Sequence, residues 1–316
     1  MLTSKIFIVK NFLDYYELYS STENAVEKFD KNLQNKICRF CNQTDQSKFN
    51  SIPHIIPELF GKNKVTSNFE CDDCNKKFQK YENDAATMIQ HYLSLLGLKT
   101  KKGIPTFQSS KKKDESSTKL KAEGNQRYFN FSTNLNDFEY HGEQNKLTVR
   151  FRTRKFSPYS VYKVLFKVGI SLLKENDILE NKHYLELINS ENPILNGIQF
   201  FTVYRYMLKT IYFKQPKAFL YRAKNVLIAK NEIPEYTLVI QFANIVIQLF
   251  LPISKNNDDT HNKENGLVLE LFPSFLYDDI NQITNIEIFQ MNLAETAKVS
   301  ITDEIVMYYD KKERVE

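Results

Sequence analysis

Four cysteines, the only ones in 316 residues, fall into two Cys-x-x-Cys pairs, Cys38–Cys41 and Cys71–Cys74. Thiolates paired in this way suit a closed, tetrahedral Zn²⁺ site. Such an ion holds together a segment too small to support its own core. Four sulfur ligands leave no open coordination position, so this zinc is structural and does no chemistry. The alternative is two disulfides in a secreted chain. Against it, Lys10 and Asp14 interrupt the apolar Ile6-Phe7-Ile8-Val9 before a signal-peptide core can form. A reducing, cytoplasmic compartment is the expectation.

The net charge of +5 does not by itself imply a nucleic-acid partner; where the positive charge gathers matters more. One uncharged stretch, Tyr236 to Ser254, is nearly long enough to cross a bilayer. It carries Thr237, Gln241, Asn244 and Gln248, and its apolar residues alternate as in a strand, so no membrane span is expected.

Along the chain, residues 1–37 read as an apolar strand or short helix followed by a polar helix around Glu23 to Asn35. From Asp73, the residues Phe78, Tyr81, Ala85, Met88 and Tyr92 recur at helical steps, with Gly97 as the stop. This sets a first unit at 1–98. Residues 99–126, rich in Lys and Ser with Lys111-Lys112-Lys113 at the centre, read as a linker or exposed loop. The remainder, 127–316, alternates strands and helices. Strands are expected at 128–138 and 146–156. Ser157-Pro158 supplies an N-cap and first-turn proline for a helix from Tyr159 to about Lys174, with a second helix over 178–189. Strands at 200–206, 218–228, 236–251, 266–272 and 283–291 complete an α+β domain with a mostly antiparallel sheet.

Between the cysteine pairs lies Ser51-Ile52-Pro53-His54-Ile55-Ile56-Pro57, and Asn75 follows the second pair directly. Taken singly, His54 reads as a core histidine and Asn75 as a capping residue. Together with the knuckles they read differently. Cys38/Cys41, the string His54-Ile55-Ile56-Pro57-Glu58-Leu59-Phe60-Gly61, and Cys71-Asp72-Asp73-Cys74-Asn75 resemble the zinc-knuckle variety of the HNH (ββα-metal) endonuclease module. The resemblance covers residues 38–82. It implies a small zinc-stabilised ββα module in which His54 is the general base and Asn75 ligates a catalytic Mg²⁺ or Mn²⁺. An imidazole can take the proton of the attacking water, contributing about 10²–10⁴-fold, while a hard cation neutralises charge on the phosphoryl oxygens.

This sequence departs from the family at Pro53, where an acidic metal ligand usually stands. Asp72, Asp73 and Glu82, the last on the same helical face as Asn75, are the candidate replacements, with solvent exposure as the ordinary reading of each. Asn68 is a candidate for the motif's central asparagine, with a turn role as its alternative, and His91 is expected to be structural.

Lys146, Arg150, Arg152 and Arg154 stand opposite Leu147, Val149 and Phe151 in an alternating strand. Such a row could track phosphates or form an ordinary solvated face. The reading is a metal-dependent DNA endonuclease, with RNA as the other substrate class and restriction or anti-phage defence as the setting that the resemblance implies. A homodimer would supply the second centre that a double-strand break needs. The competing reading is a zinc-ribbon module that binds nucleic acid or protein without cutting.

Overall fold

The computed structural model describes residues 12–23, 30–100, 103–109, 117–123, 126–132, 138–191, 193, 202–208, 213–225, 233–252 and 287–308. The chain is α+β, and among the described residues every strand pairing is antiparallel. A short helix, α1 (Phe12–Tyr15), leads into β1 (Tyr16–Ser21). Residues 30–35, described residues of the expected polar helix, carry a turn and irregular chain and no helix.

The long helix α2 (Asp72–Leu96) starts at the second knuckle, with Cys71 as N-cap and two aspartates in the first turn, where the helix dipole favours negative charge. It stops at Gly97, whose φ of 66° suits a residue without a Cβ. Leu98 N–H then closes on Leu93 O at 2.9 Å. The helix α3 (Pro158–Leu172) is buried on nearly all sides, with the Ser157 hydroxyl accepting from Ser160 N–H at its start. That fits its place between α2 on one side and the sheet strands β8 (Phe213–Ala223) and β9 (Tyr236–Ala243) on the other. Helices α4 (Glu175–Glu180) and α5 (His183–Asn189) follow.

The main sheet has the order β1-β8-β9-β10-β7-β11, with β7 Thr202–Met207, β10 Ile245–Phe250 and β11 Glu287–Asn292. The described part of the uncharged stretch, 236–252, contains a buried hairpin of β9 and β10, turning at Ala243 and Asn244. Leu238, Ile240, Phe242, Ile245, Ile247 and Leu249 face α3 and the knuckle module. Val239, Val246 and Phe250 face a second cluster with Phe12 and Tyr16. Among the described residues no helix is long and apolar enough to cross a membrane.

Two three-stranded sheets complete the described structure: β2-β3-β4 (Phe107–Gln108, Ser117–Glu123, Gln126–Ser132) and β12-β6-β5 (Thr302–Tyr308, Lys146–Arg152, Phe138–His141). The first corrects the expectation of a linker at 99–126. Phe107 and Leu120, paired across β2 and β3, are buried with Val149 of β6, which ties this sheet to the rest of the fold. The run Lys111-Lys112-Lys113 and the strand expected at 266–272 lie outside the described residues. One buried cluster extends from Cys38, Phe40 and Phe78 through α3 into the main sheet. The ring of Phe60 lies 5.0 Å from that of Phe242. Residues 38–98 therefore share a core with the rest of the protein.

Candidate functional site

The sulfur atoms of Cys38, Cys41, Cys71 and Cys74 all lie within 4.8 Å of one another. Tetrahedral zinc with Zn–S bonds of about 2.3 Å separates its sulfurs by about 3.8 Å, and Cys41 and Cys71 already stand at 3.6 Å. Asn42, at φ 58°, closes the first knuckle by donating to Cys38 O at 2.8 Å. A hydrogen bond from Cys74 lowers the Cys38 thiol to about 5. Burial pushes Cys71 up to about 11, and the bond to Cys38 raises Cys74 further still. Thiols arranged like this resist shedding their protons together unless a cation takes up the charge. The donor set fits structural zinc.

His54 forms an antiparallel bridge with Thr66, flanked by hydrogen bonds from Ile55 N to Val65 O (3.0 Å) and Ser67 N to Pro53 O (2.9 Å). Its ring is about a quarter exposed (24%). Nδ1 lies 3.3 Å from Oδ1 of Asn63. The orientation of that amide is fixed at both ends, since Nδ2 donates to Ile56 O and Gly61 O (both 3.1 Å) while Oδ1 accepts from Val65 N (3.0 Å). An oxygen facing Nδ1 requires Nδ1 to donate, which leaves the lone pair of a neutral ring on Nε2. Nε2 lies 4.0 Å from Oε2 of Glu58.

Asn75, in the first turn of α2, donates from Nδ2 to the Ser51 hydroxyl at 3.2 Å. Asp72 receives the Ser51 N–H (2.8 Å) and hydroxyl and both nitrogens of Asn50 (3.1 Å each). Although partial burial works the other way, these bonds hold its carboxyl below the ordinary range. Asn75 and Asp72 thus both grip the turn that leads into His54. Asp72 is engaged there, and Asp73 points to Lys48 at 3.8 Å.

Of the proposed replacements for the acid missing at Pro53, Glu82 is the one near the ring. Burial raises its carboxyl above the usual range, Lys167 and His54 lower it, and Glu58 raises it again. Glu58, Glu82 and the ring therefore share one electrostatic neighbourhood. Among the described residues, however, only the four cysteines bring three or more histidine, cysteine or carboxylate groups close enough to share an ion.

The remaining candidates lie elsewhere. Asn68 is buried and accepts from Asp30 N at 2.7 Å. His91 is buried against Asp303, its Nε2 at 3.0 Å from Oδ2. The basic row is broken up. Arg150 bonds Glu304 (2.8 Å) and Glu139 (3.0 Å) on the neighbouring strands, and Arg154 donates to Gln90 on α2 at 2.6 Å. Arg152 is exposed and Lys146 half-buried.

Sequence reasoning missed Asn63, Glu58 and Lys167. A Pro-bounded turn four residues after His54 is a signal for Glu58. Asn63 carries none beyond its place after Gly61, and Lys167 comes from a helix more than a hundred residues downstream.

Residues 38–90 match the family model described as HNH endonuclease. No curated protein and no solved structure matches the chain. The knuckles, the HIIP string and the helix that follows them thus make up an N-terminal module of the HNH endonuclease family, which implies a nucleic-acid substrate.

Proposed function

We propose that the protein is a metal-dependent DNA endonuclease in which His54 is the general base. The observation that carries this reading is the Asn63–His54 contact, which leaves Nε2 as the basic nitrogen of a ring about a quarter exposed to solvent. His54 takes a proton from water at Nε2 while Nδ1–H stays bonded to Asn63, so the ring keeps its orientation as it becomes positively charged. Asn75 and Glu82 are the residues that would hold a divalent cation, with Glu58 in support. Their oxygens suit Mg²⁺ or Mn²⁺. When bound, the cation neutralises charge on the phosphate and on the leaving oxygen. The cysteine cluster, with no open position, fastens the start of α2 to the first knuckle.

Restriction or defence against phage is the setting that the resemblance implies. A second copy of the chain would supply the centre for the opposite strand.

Binding without cutting is the second reading. It is favoured by Pro53 and by the absence, among the described residues, of a preassembled acidic cluster at the ring. Incubating supercoiled plasmid and single-stranded RNA with Mg²⁺ or Mn²⁺ separates the two readings. A nuclease nicks DNA, and His54→Ala slows nicking by about 10²-fold or more. Equal cutting by both proteins rules out the base assignment, and no cutting under any metal supports the binding module.

A further inference from the structure

We propose that Lys167 on α3, outside the segment that matches the nuclease family, is a positioning residue for His54. The inference rests on His54 being the base. The backbone pattern at His54 is where it begins. The bonds flanking the His54–Thr66 bridge make this a non-hydrogen-bonded antiparallel pair, so the N–H and C=O of His54 itself point away from the hairpin. Lys167 Nζ meets that carbonyl at 3.3 Å. The ring is therefore held from both sides, by Asn63 at Nδ1 and by Lys167 through the main chain.

Lys167 is well placed for this. It is 1% exposed and lies 2.9 Å from Oε1 of Glu70, which is fully buried. Its ammonium also stands over the Phe78 ring, 5.0 Å from the centroid. Helix α3 is itself fastened to the module. Arg39, inside the first knuckle, donates to Ile170 O (3.1 Å), Ser171 O (2.7 Å) and Leu173 O (3.1 Å) at the end of α3. Nearer its start, Lys163 donates to the Tyr81 hydroxyl on α2 at 3.3 Å. A buried Lys–Glu pair is poor value as a stabiliser, since well-packed apolar residues of similar volume usually do as well or better. The contact to the His54 carbonyl gives this pair a task that apolar residues cannot perform.

The test removes both charges together. Lys167→Met combined with Glu70→Gln removes both members of the pair. Because Lys167 also favours the charged form of Glu82, the double change is compared with and without Glu82→Gln, where a merely structural pair predicts no further change in stability or activity. The positioning role predicts native zinc content and melting, KM for DNA within about twofold, but kcat lower by about tenfold or more. The His54 ring resonances read by ¹⁵N–¹H NMR are expected to move, because the preference for protonation at Nδ1 weakens when the carbonyl is released. A folded double variant with wild-type kcat and unmoved ring resonances would overturn the proposal. If the neutral pair fails to fold, Lys167→Arg keeps a cation against Glu70 while displacing the donor, and unmoved resonances there overturn it equally. Should the native protein cut no nucleic acid, the endonuclease reading falls, and the ring resonances still decide the role of Lys167.

Discussion

Asn63 fixes the tautomer of His54. Its Oδ1 sits 3.3 Å from Nδ1, and its Nδ2 is tied to two backbone carbonyls of the same loop, those of Ile56 and Gly61. One side chain thus closes the loop and orients the His54 ring. Asn63→Ala removes both effects. It is expected to lower melting by an amount equivalent to about 1–3 kcal/mol, because buried carbonyls lose their donor. It should also cut kcat by about 10–10²-fold while zinc content stays native. Zinc analysis with calorimetry and plasmid nicking checks this, and full activity would show that ring orientation does not depend on Asn63.

Removing zinc is expected to undo the module. A chelator should strip the ion, expose the hydrophobic cluster around Phe40 and Phe78, and abolish nicking that Mg²⁺ alone does not restore. Re-adding zinc at pH 7 should release at least two protons per ion. Cys71, pushed up to about 11, and Cys74, higher still, both hold their protons until the metal displaces them. Calorimetry in buffers of different ionisation enthalpy counts these protons. Zinc uptake without proton release would mean that the thiols are not all ligands.

Those two centres show what sequence makes legible. The knuckles, the start of α2 within one residue of the expected Asp73, and its stop at Gly97 follow from residue spacing and the glycine C-cap, which act within a few residues. The capped start of α3 at Ser157-Pro158 is readable for the same reason. Asn63 and Lys167 are not readable, because each acts by facing a group that only the folded chain brings near. Residues 99–126 mislead because their composition is that of a linker, while the partners that bury Phe107 and Leu120, Val149 on β6 among them, lie outside the segment. The row at Arg150 and Arg154 leaves two readings open because alternation identifies a strand face but not the carboxylates and amide on neighbouring elements that meet it.

Replacing the acid lost at Pro53 falls to Glu82 and Glu58 on the proposed reading. Glu82→Gln is expected to raise the Mn²⁺ or Mg²⁺ concentration that half-saturates cutting by about tenfold, with a smaller change for Glu58→Gln. Because Glu82 is largely enclosed, its neutral variant should fold at least as stably as the native protein, since burial works against its charged form. Metal titration of the nicking rate reads the effect. An unchanged metal requirement in the double variant would remove these carboxylates from the cation site.

Acid should loosen the joint between α2 and the distal strands. Asp303 on β12 accepts from His91 Nε2 at 3.0 Å and from the Tyr92 hydroxyl, with Arg205 of β7 at 3.6 Å. Although burial alone would raise it, these partners hold the Asp303 carboxyl at about 2, below its ordinary 3.8. A carboxylate lowered on folding stabilises above its unfolded value, and that stability disappears as pH falls through the folded one. Burial also lowers His91 below its usual 6.5. A buried neutral imidazole likewise stabilises above its unfolded value and loses that contribution as pH falls below it. Both groups therefore act in the same direction. Urea unfolding should show stability declining from about pH 6.5 downward, and steeply between about 4 and 2. Asp303→Asn is expected to cost about 2 kcal/mol at pH 7 and to flatten the acid part of the curve. His91→Gln, which cannot take up a proton, should remove the decline just below pH 6.5. A native-like acid profile in Asp303→Asn would mean that other carboxylates govern acid unfolding.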